Sequence, residues 1–140
     1  MKEERGAATI WFLGLSLALM MMGALSAELW RLIGERQELS SMADAAAVAA
    51  AGAVDLDHYR ETGQVRLAPA EAEQRALLVI AGHSGGTDLA APPLVEVAAD
   101  GLSVRTWVAR SVPAGLIRLL SLGEEGFLVQ AGAVAYPSVP

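Results

Sequence analysis

The chain has 140 residues, a formal net charge of −6 from 10 Lys and Arg against 16 Asp and Glu, no Cys, and 54% hydrophobic residues. Without cysteine there are no disulfides, no thiolate chemistry and no Cys-ligated metal. An acidic chain whose Lys and Arg do not cluster is a poor match for phosphate, which excludes a nucleic-acid partner. Once an N-terminal apolar segment is set aside, the remaining length admits one small domain.

Residues 1–6 form a short polar start with Lys2 and Arg5, and from Ala7 to Ala27 there is no charged residue. A helix needs about 20 mostly apolar residues to cross a hydrocarbon core roughly 30 Å thick, and a lone segment in lipid must satisfy its own backbone hydrogen bonds, which only a helix does. Residues 7–27 are therefore expected to span a membrane. Trp11 and Trp30 are 19 positions apart, about 28 Å along a helix, which suits two rings at opposite membrane interfaces. Gly14 with Ala18, and Gly23 with Ala27, offer small faces for close helix packing within the lipid.

The alternative is a secretion signal, since Lys2 and Arg5 followed by Ala24-Leu25-Ser26 also fit cleavage near Ser26 or Ala27, releasing a small binding domain. The apolar segment exceeds the usual signal core of about 7–15 residues, and the helical pattern continues past it, so a retained signal-anchor is favoured. Basic residues on the two sides balance, Lys2 and Arg5 against Arg31 and Arg36. The N-terminus is placed in the cytoplasm because a small domain after a first anchor is ordinarily exported, which locates the protein in the cell (inner) membrane.

From Glu28 to Val54 no Pro interrupts the chain. Leu29, Leu32, Ile33, Leu39, Met42, Ala46, Ala49, Ala50 and Ala53 recur at helical steps on one face, with charged residues mostly elsewhere. The expectation is a helical stalk over 28–54 that continues the membrane helix and uses this small-residue face to dock on partner helices, because a lone solvated rod buries too little surface to stabilise itself.

The segment from Glu28 through Arg31, Arg36 and Leu39 to Ala43-Asp44-Ala45-Ala46-Ala47, together with Arg5-Gly6, resembles the signature of TadE/TadG-like proteins of the Tad (Flp) pilus-assembly family. The resemblance covers about the first third of the chain. It implies a non-enzymatic, single-pass, pilin-like component, a minor pilin or pseudopilin, of a bacterial Tad/Flp pilus or related secretion apparatus. Such a component needs no cofactor, and its partners are the lipid bilayer and other pilus or assembly-platform subunits in an oligomeric or heteromeric assembly. Processed pilins carry Glu at the fifth position after the cleaved Gly, whereas Trp11 stands fifth after Gly6 here. Retention as an unprocessed anchor follows.

Residues 55–140 are expected to form a small extracytoplasmic domain. Pro69 to about Ala81 reads as a helix with Pro in its first turn and acids near its N-terminus, and 82–93 as a loop. Leu94–Ala99, the turn pair Asp100-Gly101 and Leu102–Arg110 read as a β-hairpin, 113–120 as a short helix or turn, and 126–136 as a last strand. The fold class is thus α+β: a transmembrane helix continuing as a long extramembrane helix, then a pilin-like domain with a second helix and an antiparallel sheet of about three strands.

Catalytic and metal readings are weak. Gly82-His83-Ser84-Gly85-Gly86 matches the G-x-S-x-G elbow of serine hydrolases, with Leu77–Ile80 as a conceivable strand before it, but no His follows the Ser and no helix-forming stretch comes next. Asp55, Asp57 and His58 read as a solvated turn, since no metal-ligand spacing joins them to His83. Arg105, Arg110 and Arg118 are assigned to solvent faces. Trp107 is read as core, with contact to another subunit as the alternative.

Overall fold

The computed structural model describes residues 3–83, 86, 88–113, 115 and 126–137, with side chains from residue 7 onward. Helix α1 (Glu3–Ala51) runs 49 residues without a break, about 73 Å at 1.5 Å per residue. Its sequence is rich in Ala, Leu and Met, the best helix formers. It stops at Gly52, where the Gly52 N–H is shared between the carbonyls of Val48 and Ala49 and the Ala53 N–H bonds to Ala50 O at 3.0 Å, a tightened last turn.

Helix α2 (Leu56–Thr62) replaces the solvated turn expected around Asp57 and His58. Asp55 caps it, its side chain accepting the His58 N–H at 3.0 Å, and Gly63 closes it with φ 71° and an N–H bonded to Tyr59 O. A pair of extended segments brackets this excursion: Asp55 N–H bonds to Arg66 O and Ala68 N–H to Ala53 O, both at 2.8 Å. Helix α3 (Pro69–Gly82) follows with Pro at its start and turns Ala72, Ala76 and Ile80 inward at four-residue spacing.

Strands β1 (Leu94–Val97), β2 (Val104–Val112) and β3 (Phe127–Ala135) form one antiparallel sheet in the order β1-β2-β3. Val97 faces Val104 across the hairpin, a register centred on Asp100-Gly101. Gly101 takes φ 71° in the turn and its N–H bonds to Ala98 O. A side chain there would be strained. Along β2 the even positions, Val104, Thr106, Val108, Arg110 and Val112, are buried and the odd ones face outward.

Two layers make the domain. The sheet covers one side of the distal half of α1, and α3 lies against α1 as well as β1. Leu39, Met42, Ala43, Ala46, Ala47 and Ala50 of α1 meet Ala72, Ala76 and Ile80 of α3 and Val104, Val108 and Ala133 of the sheet in a single core.

This arrangement corrects four sequence-based expectations. Leu39, Met42, Ala46, Ala50 and Ala53 have no exposed surface and Ala49 is half-buried, so this face packs against the chain's own domain and is not open to partner helices, while Leu29 and Ile33, expected on the same face, stay exposed. Segment 28–54 is not a free stalk either, because the domain folds back along it. Arg110 is inside, not on a solvent face, and Trp107, 37% exposed, lies on the outer face of the sheet with its ring over Gly132. Arg105 is exposed as expected. Arg118, and residues 113–120 apart from Pro113 and Gly115, lie outside the described residues.

Candidate functional site

Three contacts fix how β2 lies on α1. Near the far end, the Thr106 hydroxyl donates to Ala43 O at 2.8 Å, wholly buried. Midway, Arg110 reaches Glu35 Oε2 from Nη1 at 2.8 Å and Glu38 Oε1 from Nη2 at 3.5 Å. Closest to the apolar segment, Arg31 Nη2 donates to Pro113 O at 2.8 Å. The pairs descend together, 106 with 43, 110 with 35 and 38, 113 with 31, so β2 runs antiparallel to α1 and its C-terminal end returns to the first charged turn after the apolar stretch.

At that turn Glu28 is only 8% exposed, lies 3.8 Å from Arg31, and sits in a groove with Ala24, Ala27, Pro113 and Gly115. A Cβ on Gly115 would come within 2.6 Å of Glu28 Oε1. Only glycine lets the backbone approach the carboxylate this closely. At the edge of a long apolar segment Glu28 is thereby covered by the end of the domain and lies beside Arg31, whose side chain stays 42% exposed.

The Arg110 pair is the electrostatic centre of the joint. Burial works to lower the pKa of its guanidinium, but the hydrogen bond to Glu35 and the charges of Glu38 and Glu35 more than offset this and hold it above the ordinary value. A cation so enclosed between two carboxylates binds β2 to α1 in a single geometry.

The remaining proposed site residues form no comparable cluster. Trp11 and Trp30 are 80% and 74% exposed on the same unbroken helix. Gly14, Ala18, Gly23 and Ala27 are exposed, Ala27 at the edge of the Glu28 groove, and a Cβ on Gly14 or Gly23 would meet nothing within 4 Å. Gly14 leaves a notch between Ile10, Trp11, Phe12, Leu15 and Ala18 on the bare helix.

Leu77 to Ile80 are helical in α3, where the nucleophile elbow requires a strand, and Ser84 and Gly85 lie outside the described residues. His83 closes α3 through a backbone bond to Ile80 O. Among the described residues no group of three or more His, Asp or Glu side chains is placed to hold a metal ion. The arrangement is a mechanical joint that fixes a small domain onto a long apolar helix.

The sequence reading missed this joint. Its signal was the spacing along β2: Arg110 shares the parity of Val104, Val108 and Val112, so strand alternation turns it toward the core and Trp107 away from it. Among the described residues one helix, near the N-terminus, is long and apolar enough to cross a membrane. No protein-family model, curated protein or solved structure matches the chain.

Proposed function

We propose that the protein is a non-enzymatic, single-pass, pilin-like component of a bacterial Tad/Flp pilus or related secretion apparatus. It sits in the cell membrane with its N-terminus cytoplasmic and its domain outside, and works by holding that domain rigidly at the membrane for contact with other subunits. The observation that carries this reading is the single helix that passes from a charge-free segment directly into the core of a small α+β domain.

The resemblance in segment 28–51 supports it, and the packing supplies a physical role for the alanines of that motif. Ala43, Ala46, Ala47 and Ala50, buried to within 1% of their surface, let α3 and the sheet approach the helix backbone closely. With that face occupied, the surfaces left for other subunits are the apolar segment and the outer face of the sheet, where Leu94, Trp107, Leu128 and Val134 are exposed.

A photocrosslinking residue in place of Trp107, introduced in the native host, tests the subunit contact. Recovery of pilus or assembly-platform subunits in the crosslinked product is expected. Crosslinks confined to unrelated proteins, or intact mass showing a soluble chain that starts near Glu28, would reject the proposal.

A further inference from the structure

Along α1 the charges begin at different heights on its two sides. On the side facing the domain they begin at Glu28, followed by Arg31, Glu35 and Glu38. On the opposite side Met22, Leu25, Leu29 and Ile33 continue one stripe at three- and four-residue steps, and its first charge is Arg36, followed by Ser40 and Asp44. Glu28 and Arg36 differ by about 12 Å of helix rise. Met22, Leu25, Leu29 and Ile33 are 67%, 40%, 58% and 49% exposed, and Trp30 beside them 74%, so among the described residues no part of the domain covers this stripe.

We infer that the lipid contact of α1 extends up this outer stripe to Ile33, so that Glu28, Arg31, Pro113 and Gly115 lie within the lipid headgroup layer. The inference rests on the proposed membrane anchoring and adds the depth and the facing side. The occupant of the stripe is lipid because it is continuous, in register and in composition, with the exposed face of the apolar segment below it. From Ala7 to Ile33 the outer stripe is about 39 Å long, close to the roughly 40–45 Å of a bilayer with its polar interfacial layers. Trp30 then falls in the interfacial belt where indole rings settle.

The groove around Glu28 explains how two charged residues tolerate this depth. Polar groups in or near lipid face protein and pair with one another, and here Glu28 lies beside Arg31 under Pro113 and Gly115. The domain therefore rests on the bilayer surface on one side of a helix whose other side still contacts lipid.

The lack of native cysteine allows single nitroxide labels in the full chain. The variants Leu15→Cys, Leu29→Cys, Ile33→Cys, Arg36→Cys and Asp44→Cys alter only exposed positions, and each is reconstituted in vesicles of phosphatidylcholine and phosphatidylglycerol. Power saturation against oxygen and a water-soluble nickel chelate then reads the depth. Nickel access should be lowest at Leu15, intermediate at Leu29 and Ile33, and highest at Arg36 and Asp44.

Nickel access at Leu29 and Ile33 equal to that at Arg36 overturns the inference and leaves the anchor intact. Protection of both from nickel and oxygen alike identifies a protein occupant and overturns it as well. A Leu15 label open to nickel sinks the anchor itself, a separately recognisable result.

Discussion

Along α1, the large side chains between Ile10 and Met22 keep about half or more of their surface uncovered, while the inward residues from Leu39 to Ala51 are mostly small and almost fully covered. In the proposed anchored state, size and burial are inverted because lipid covers one half and the chain's own domain the other. A side chain facing lipid needs only to be apolar and can be long, since the bilayer adapts to it. A side chain facing a packed sheet and a second helix has its volume set by neighbours already close-packed. One helix thus satisfies two solvents with two vocabularies, Leu and Met for one and Ala for the other.

Matched truncations separate the halves most sharply. Met42→Ala removes a wholly buried side chain and should cost about 2–5 kcal/mol, read as a lowered thermal midpoint of the domain by circular dichroism. Leu17→Ala, on an exposed position of the apolar half, should leave that midpoint unmoved. Equal shifts for both would break the comparison.

The reverse experiment uses charge. Leu17→Arg places a cation mid-segment at a cost of roughly 2.5–3.5 kcal/mol on insertion scales, so carbonate washing should release much more of the variant. The near-ultraviolet dichroism of its domain should stay that of the parent. Retention equal to the parent would count against residues 7–27 as the span.

Arg110→Met tests the joint between the halves. It leaves Glu35 and Glu38 partly buried without their shared cation, and a loss of about 1–3 kcal/mol is expected, below the figure for fully buried pairs because both carboxylates reach solvent. The folded-state pKa of Arg110 is raised, so its contribution is complete at every pH below the unfolded value and fades only as pH rises through the folded one, deep in the alkaline range. The stability gap between parent and variant should therefore stay constant from neutral to mildly alkaline pH. A gap that closes there would point to a different titrating group.

Two smaller effects bracket the periphery. Asp55→Ala removes the cap of α2 and should cost about 1 kcal/mol in the same thermal melt. Arg60→Ala breaks only an exposed pair with Asp57 at 3.1 Å and should shift stability by no more than a few tenths of a kcal/mol.

Much of this fold is legible in the sequence because local rules and tertiary packing agree. The unbroken run from Ala7, Pro69 at the head of α3, the turn at Asp100-Gly101 and the apolar strand 127–135 each obey their own period or punctuation. Helix α2 escaped notice because seven residues are too few to show a period; only its ends, Asp55 and Gly63, marked it. Periodicity also showed that the face of Leu39, Met42 and Ala46 must be covered, but not by what, since a partner helix and the chain's own sheet impose the same spacing. The Glu28–Arg31–Pro113–Gly115 groove and the Arg110 clamp join residues about 80 positions apart, beyond the reach of any local pattern.

The absence of a break in α1 has a mechanical result. Helices in bilayers lean by about 20° on average, and here nothing between lipid and core can absorb that lean as a hinge. From Ala27 to Ala51 the rod extends about 36 Å beyond the apolar stretch, so such a lean sweeps its far end sideways by about 12 Å. Under the proposed anchoring, a push on the anchor becomes a displacement of the whole head, and a force on the head is felt as torque in the bilayer.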